Sequence, residues 1–213
     1  MAGARTGVAT RICADEPRAV FTHCYGHSLD LACGNRIKGC TIMKDALDTT
    51  HEITKLIKKS PARDATFKRL KNELASDCPG IRVLCPTRWT VRAEALQSIL
   101  DNYDVLQELW SEAADSVQDK EMKARIQGVA AQMQKFEFFF GVSLGQLVLH
   151  HNDNLSRTLQ KADISAAEGQ DVTAMTVTVL QSLRTADKFD LFFVRVKAAA
   201  SRHDIEEPRL PRK

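Results

Sequence analysis

Val83-Leu84-Cys85-Pro86-Thr87-Arg88-Trp89-Thr90 marks the point at which the chain commits to helix. A short apolar run meets Pro86, which lacks a backbone donor and drives Cys85 towards extended backbone. Thr87 then offers a hydroxyl of the kind that caps a helix, and a 3.6-residue apolar period opens behind it. Leu96, Ile99, Leu100, Tyr103, Leu106, Leu109 and Trp110 share one face, so a long helix is predicted from Thr90. Arg88 and Trp89 fall in its first turn. Trp89 is one of two tryptophans. An indole there either plugs a core or stacks on something flat, and Arg88 beside it suits a phosphate.

Working back from that stretch, Ile81–Leu84 reads as a short apolar approach and Asp77–Gly80 as a turn. Pro61 suits the first turn of a helix whose apolar face carries Phe67, Leu70 and Leu74. Cys40–Ser60 is predicted as an amphipathic helix, with Ile42, Met43, Ala46, Leu47, Ile53, Leu56 and Ile57 recurring on one side. Leu29, Leu31, Ala32 and Ile37 mark another helix, ending near Gly39. Ala19-Val20-Phe21-Thr22 is the one β-prone run in this part. Before it, Val8, Ala9 and Ile12 suit a short helix that stops at Asp15-Glu16-Pro17.

Forward of the stretch, the predicted helix carries acid on its other side: Asp101, Asp104, Glu108, Glu112 and Asp115. Ser116–Glu121 is a connection. Met122, Ile126, Val129, Ala130, Met133 and Phe136 resume a helical stripe, and Phe138–Leu149 is apolar nearly all round, which implies burial among other helices. His150–Asn154 is a break or a polar patch in a helix reaching about Ala162. Asp163–Asp171 reads as a loop or kink. Val172–Ala200 is predicted as one final helix with Val177, Leu180, Leu183, Phe189, Phe192, Phe193 and Val196 facing inward. A polar, disordered tail follows from Glu206.

The whole therefore reads as mainly α. At 213 residues, 44% hydrophobic and 27% charged, the chain can bury a real core. A formal net charge of +3 is only mildly basic, so distribution decides more than the sum. No window of about 18 apolar residues exists, so no membrane partner or span is expected. Six cysteines without a secretory signal suggest reduced thiols.

Two constellations could carry chemistry. His23, Cys24, His27, Cys33 and Cys40 are potential metal ligands, with Cys78 and Cys85 further on. No paired CxxC accompanies them, and a buried thiol beside a hydrogen-bonded histidine explains them more simply. No nucleophile elbow or phosphate-cradling glycine loop is present. Lys55, Lys58, Lys59, Arg63, Lys68, Arg69 and Lys71 face Asp64 alone across the Pro61 break. This run is the best candidate for a polyanion contact, although taken alone such a run is more often a solvated face. The acidic side from Asp101 to Asp115 is a ready counterweight.

Thr22-His23-Cys24-Tyr25-Gly26-His27-Ser28-Leu29-Asp30-Leu31-Ala32, followed by Cys85-Pro86-Thr87-Arg88-Trp89, resembles the hAT superfamily of DNA transposases, and within it the zinc finger MYM-type branch. Asp30 stands where that family's block has Asn. The resemblance implies a three-part chain. Residues 1–39 would end an RNase H-like core with one or two short strands, 40–203 would form a helical insertion domain, and 204–213 a disordered tail. It also implies a nuclear location. Intact members hold two divalent metals on an Asp-Asp-Glu triad. By the resemblance Met1-Ala2-Gly3-Ala4-Arg5-Thr6-Gly7-Val8 lies just after the second aspartate, so both aspartates fall upstream. No equivalent of the glutamate is recognisable, and neither Glu94 nor Glu137 can hold two metals alone.

The expectation is then a non-catalytic chain without a cofactor of its own. Its nucleic-acid contacts would be Trp89 by base stacking, Arg88 at a phosphate, and the basic residues from Lys55 to Lys71. DNA is the implied partner. A helical scaffold for a protein partner or for a second copy is the alternative, and a decayed transposon copy is a third.

Overall fold

The computed structural model describes residues 7–20, 25–75, 77–84, 91–206 and 208. Its elements are α1 (Val8–Asp15), α2 (Tyr25–Lys38), α3 (Thr41–Lys58), α4 (Pro61–Leu74), α5 (Arg92–Asp101), α6 (Tyr103–Ser116), α7 (Lys120–Met133), α8 (Phe136–Leu159), α9 (Ala166–Ser182) and α10 (Ala186–Ser201). The fold is mainly helical, and no strand occurs among the described residues. Ala19 and Val20 are irregular and Val20 is exposed, while Phe21 and Thr22 lie outside the described residues.

The 24-residue α8 is the central rod, with α2, α3, α5, α7, α9 and α10 all packed against it. Two glycines let its neighbours come close. A Cβ on Gly141 would lie 2.7 Å from the Ile42 carbonyl oxygen on α3, and one on Gly145 would lie 2.9 Å from Leu96 on α5. Ile53, Ile57, Leu96, Ile99, Leu106, Leu109, Ile126, Met133 and Val142 are all fully buried around this junction. At about 1.5–3 kcal/mol for each large apolar side chain taken out of water, this cluster dominates the stability of the fold.

The long helix predicted from Thr90 is two helices. Asn102, 1% exposed, breaks it at φ −116°, ψ 26°. Its amide donates to the Ser98 carbonyl at 2.8 Å and to the Pro79 carbonyl at 2.9 Å, a local bonding that competes with helix propagation. The break frees α6 to pack on α4 and α7 while α5 stays on α8. It also pins the Pro79–Leu84 segment, where Ser98 accepts from the Arg82 N–H at 3.0 Å and Ile81 and Leu84 plug the core. Trp110 is core: its indole N–H points at the Met133 sulfur, 3.2 Å away.

At the other end, α8 runs unbroken through His150–Asn154, because Asn152 and Asp153 are buried against α2 and α5 rather than exposed in a turn. The loop expected at 163–171 ends at Ser165, and α9 begins at Ala166. Ser165 and Glu168 form a reciprocal capping box, which the Ser-x-x-Glu spacing encodes. The single helix expected over 172–200 is broken between Ser182 and Ala186, with Thr185 in extended backbone as the α10 N-cap. Beyond α10, Asp204 turns left-handed at φ 56° and returns Ile205 to the core. Among the described residues no helix is long and apolar enough to cross a membrane.

Candidate functional site

The basic run occupies the corner between α3 and α4, where local carboxylates and one from α6, Glu112, meet it. Ser60 caps α4 through the Arg63 N–H, and Pro61 takes the first helical position, turning the two helices against each other. Lys58 and Lys68 both close on Asp64, at 2.7 and 2.6 Å, and hold its carboxyl below the usual range. Arg69 grips Glu73 at 3.1 Å and Glu112 of α6 at 2.6 Å, so one member of the acidic side does balance the run. Lys55 lies 3.8 Å from Glu52, whose other oxygen binds Arg125 of α7. Arg63 donates to the Leu56 carbonyl at 2.8 Å; burial and the nearby Arg125 pull its guanidinium below its ordinary value. Lys59 is exposed and carries no ion pair among the described residues. Lys71 sits on the following turn of α4. The ridge is thus a laced network more than a bare cationic stripe.

Arg88 and Trp89 lie outside the described residues, as do His23, Cys24 and Cys85. The structure does show how the chain is received immediately after them. Val91 offers no side-chain cap to α5. Asp153 of α8 supplies it instead, accepting the Ala93 N–H at 2.9 Å. Burial pushes that carboxyl up to about 6, against the opposing pull of the Ala93 N–H, Arg157 and Arg92. Arg92 faces Asp30 of α2 at 3.0 Å, both largely enclosed. Glu94 joins Arg82 and Arg157 on the outside of the same turn. Cys33 donates its thiol to Asn152 at 2.9 Å, and burial raises its pKa. Asp30 therefore serves as the counterion of Arg92. Among the described residues no three His, Cys, Asp or Glu side chains gather as a metal-ligand set.

The third feature is one that periodicity did not reveal. α9 and α10 follow each other along α8: Gly169 packs near Leu159, while Phe192 and Phe193 meet Phe140 edge-on. α9 buries no residue fully, and α10 buries only Val196 and Ala200. Val177 and Phe189, expected inward, are 47% and 50% exposed. Met175, Val179, Leu191 and Val194 are exposed with them. Thr173, Thr176 and Thr178 bond their hydroxyls back to the carbonyls four residues earlier, so α9 spends its polar groups internally. No charged residue occurs from Val172 to Leu183. Under the N-terminal half of α9 lies an apolar cavity of about 610 Å3 lined by Leu29, Leu155, Leu159 and Ile164. The missed signal was the absence of a polar face on α9, which a search for one apolar face does not register.

Set beside known proteins, the chain matches no family model. No solved structure matches it significantly either.

Proposed function

We propose that this chain is a helical protein-interaction scaffold whose working surface is the outer side of α9 and α10. The observation that carries the reading is the set of exposed apolar side chains, Met175, Val177, Val179, Leu191 and Val194, on two successive helices that themselves bury almost nothing. Exposed apolar surface gathered in this way favours association. The test is size-exclusion of nuclease-treated protein. Assembly should survive digestion of nucleic acid and be lost when Met175, Val177 and Val194 are all changed to Glu. A chain that runs identically with and without those changes overturns the reading.

A second reading is residual DNA contact by a non-catalytic, hAT-type transposase fragment, in which residues before the helical part close an RNase H-like core. One observation favours it. Lys58 and Lys68 share the single carboxylate Asp64 while Lys59 stands exposed beside them, which leaves a surplus of positive charge at the α3–α4 corner. In this reading Arg88 and Trp89 add a phosphate contact and a stacked base. Binding would weaken with salt by about 0.9 log units per log unit of salt for each phosphate neutralised. The slope would fall well short of seven phosphates, because Lys55, Lys58, Lys68 and Arg69 already have carboxylate partners among the described residues. Lys59→Glu should weaken DNA binding, and a salt-independent gel shift counts against the reading.

A further inference from the structure

The outer stripe of α10 is complementary to itself, and we infer that the partner seated on it is a second copy of this chain, paired antiparallel about a twofold axis. This inference rests on the scaffold reading above and names its occupant. Asp187, Leu191, Val194, Ala198 and Arg202 are spaced by four, three, four and four residues, so they fall on one face. All five are exposed, and the opposite face holds buried Val196 and Ala200. The stripe thus has acid at its first end, base at its last, and apolar side chains between.

With the axis between Val194 and Arg195, Asp187 of one copy faces Arg202 of the other, at both ends of the interface. Leu191 then faces Ala198, a bulky side chain against a small one, and the two Val194 side chains meet near the centre. That order is what interdigitated antiparallel helices require. An isologous interface must match its own image in this way, whereas a surface evolved for an unrelated protein has no reason to. The charged ends also suit their helix positions, with Asp187 in the first turn and Arg202 at the C-cap. Arg195 sits on the shoulder beside its own symmetry mate. Salt screens that repulsion together with the two Asp187–Arg202 attractions. A single 16-residue helix, about 24 Å long, falls below the roughly 800 Å2 per partner of a standard interface. The dimer is therefore a weak one unless α9 extends it.

Sedimentation equilibrium on the full, nuclease-treated chain over a concentration series is the test. The wild type should approach twice the single-chain mass. Val194→Glu places two carboxylates at the axis and should weaken dimerisation at least about tenfold, with the helical circular dichroism unchanged. Asp187→Arg should weaken it less, and adding Arg202→Asp in the same chain should restore it by recreating the pair with reversed sign. A single-chain mass throughout, indifference to Val194→Glu, or no rescue in the double variant would each overturn the homodimer. If the wild type is monomeric alone but forms nuclease-resistant assemblies with other proteins that Val194→Glu abolishes, the homodimer falls and the scaffold stands. If neither kind of assembly depends on α9 or α10, both fall.

Discussion

The two sides of α8 are built on opposite principles. Towards α3 and α5 it presents Gly141, Gly145 and Val142, and its neighbours answer with Ala46, Leu96 and Ile99, all at most 2% exposed. Towards α9 and α10 it presents Phe140 and Leu159, which are only partly covered, by helices that leave Met175, Val177, Leu191 and Val194 exposed. The first side has closed on itself. The second has the composition of an interior and the exposure of a surface. The difference teaches that hydrophobicity alone does not locate the core of this protein; close backbone approach does.

The contrast is easiest to break where it is steepest. Leu96→Ala, on the closed side, should destabilise by about 2–5 kcal/mol, since the space it leaves is walled by α8 and cannot collapse. Urea denaturation monitored by helical circular dichroism measures this. A loss below about 1 kcal/mol would mean that α5 and α8 are not packed as described. Gly141→Ala comes next, at about 1–3 kcal/mol. Alanine favours helix over glycine by about 1 kcal/mol, so a net loss would isolate the cost of pushing the Ile42 carbonyl away. A stabilised variant would show that α3 and α8 stand further apart.

Asp153 sharpens the comparison by pH. Its folded carboxyl titrates near 6 because it is buried, above the ordinary carboxylate value of 3.8. The folded state therefore binds this proton more tightly than the unfolded state, and its contribution to stability falls as pH rises from about 4 to about 6. Asp153→Asn keeps an oxygen for the Ala93 N–H and removes the buried charge. Relative to wild type it should gain on the order of 1–2 kcal/mol above pH 6, and the gain should fade towards pH 4. A difference that does not change with pH would mean that the carboxyl is solvated.

How much of this was legible beforehand differs between the two sides for a physical reason. The α3 stripe through Ile53, Leu56 and Ile57 was readable because one of its faces is polar, so burial shows up as period. The break at Asn102 was not, since its cause is a contact with Pro79, far away in sequence. The start of α9 was written locally, in Ser165 and Glu168, yet Asp163 and Gly169 around it resemble a loop. The basic run was legible as charge and the acidic side of 101–115 as its counterweight, but that Glu112 is the residue that meets Arg69 follows only from the packing of α6 on α4. Phe189 and Val177 read as inward from apolarity alone, since at 100° per residue the apolar positions of 172–200 spread round a helix and define no single buried face.

The smallest effect is the most discriminating. Val177→Thr nearly preserves shape and β-branching on the exposed side of α9, and it changes only the apolar character of the surface. If α9 faces water in the lone chain, the substitution should alter the stability of the monomer by no more than about 0.5 kcal/mol. That is several-fold less than for Leu96→Ala, although both replace a branched aliphatic side chain. The measurement must be made at low protein concentration, because anything that binds the folded state adds to its apparent stability by mass action. Repeating it at high concentration then separates two sources of stability. A cost that stays small means α9 is only a cover for α8. A cost that grows with concentration means its outer surface is being buried by another molecule.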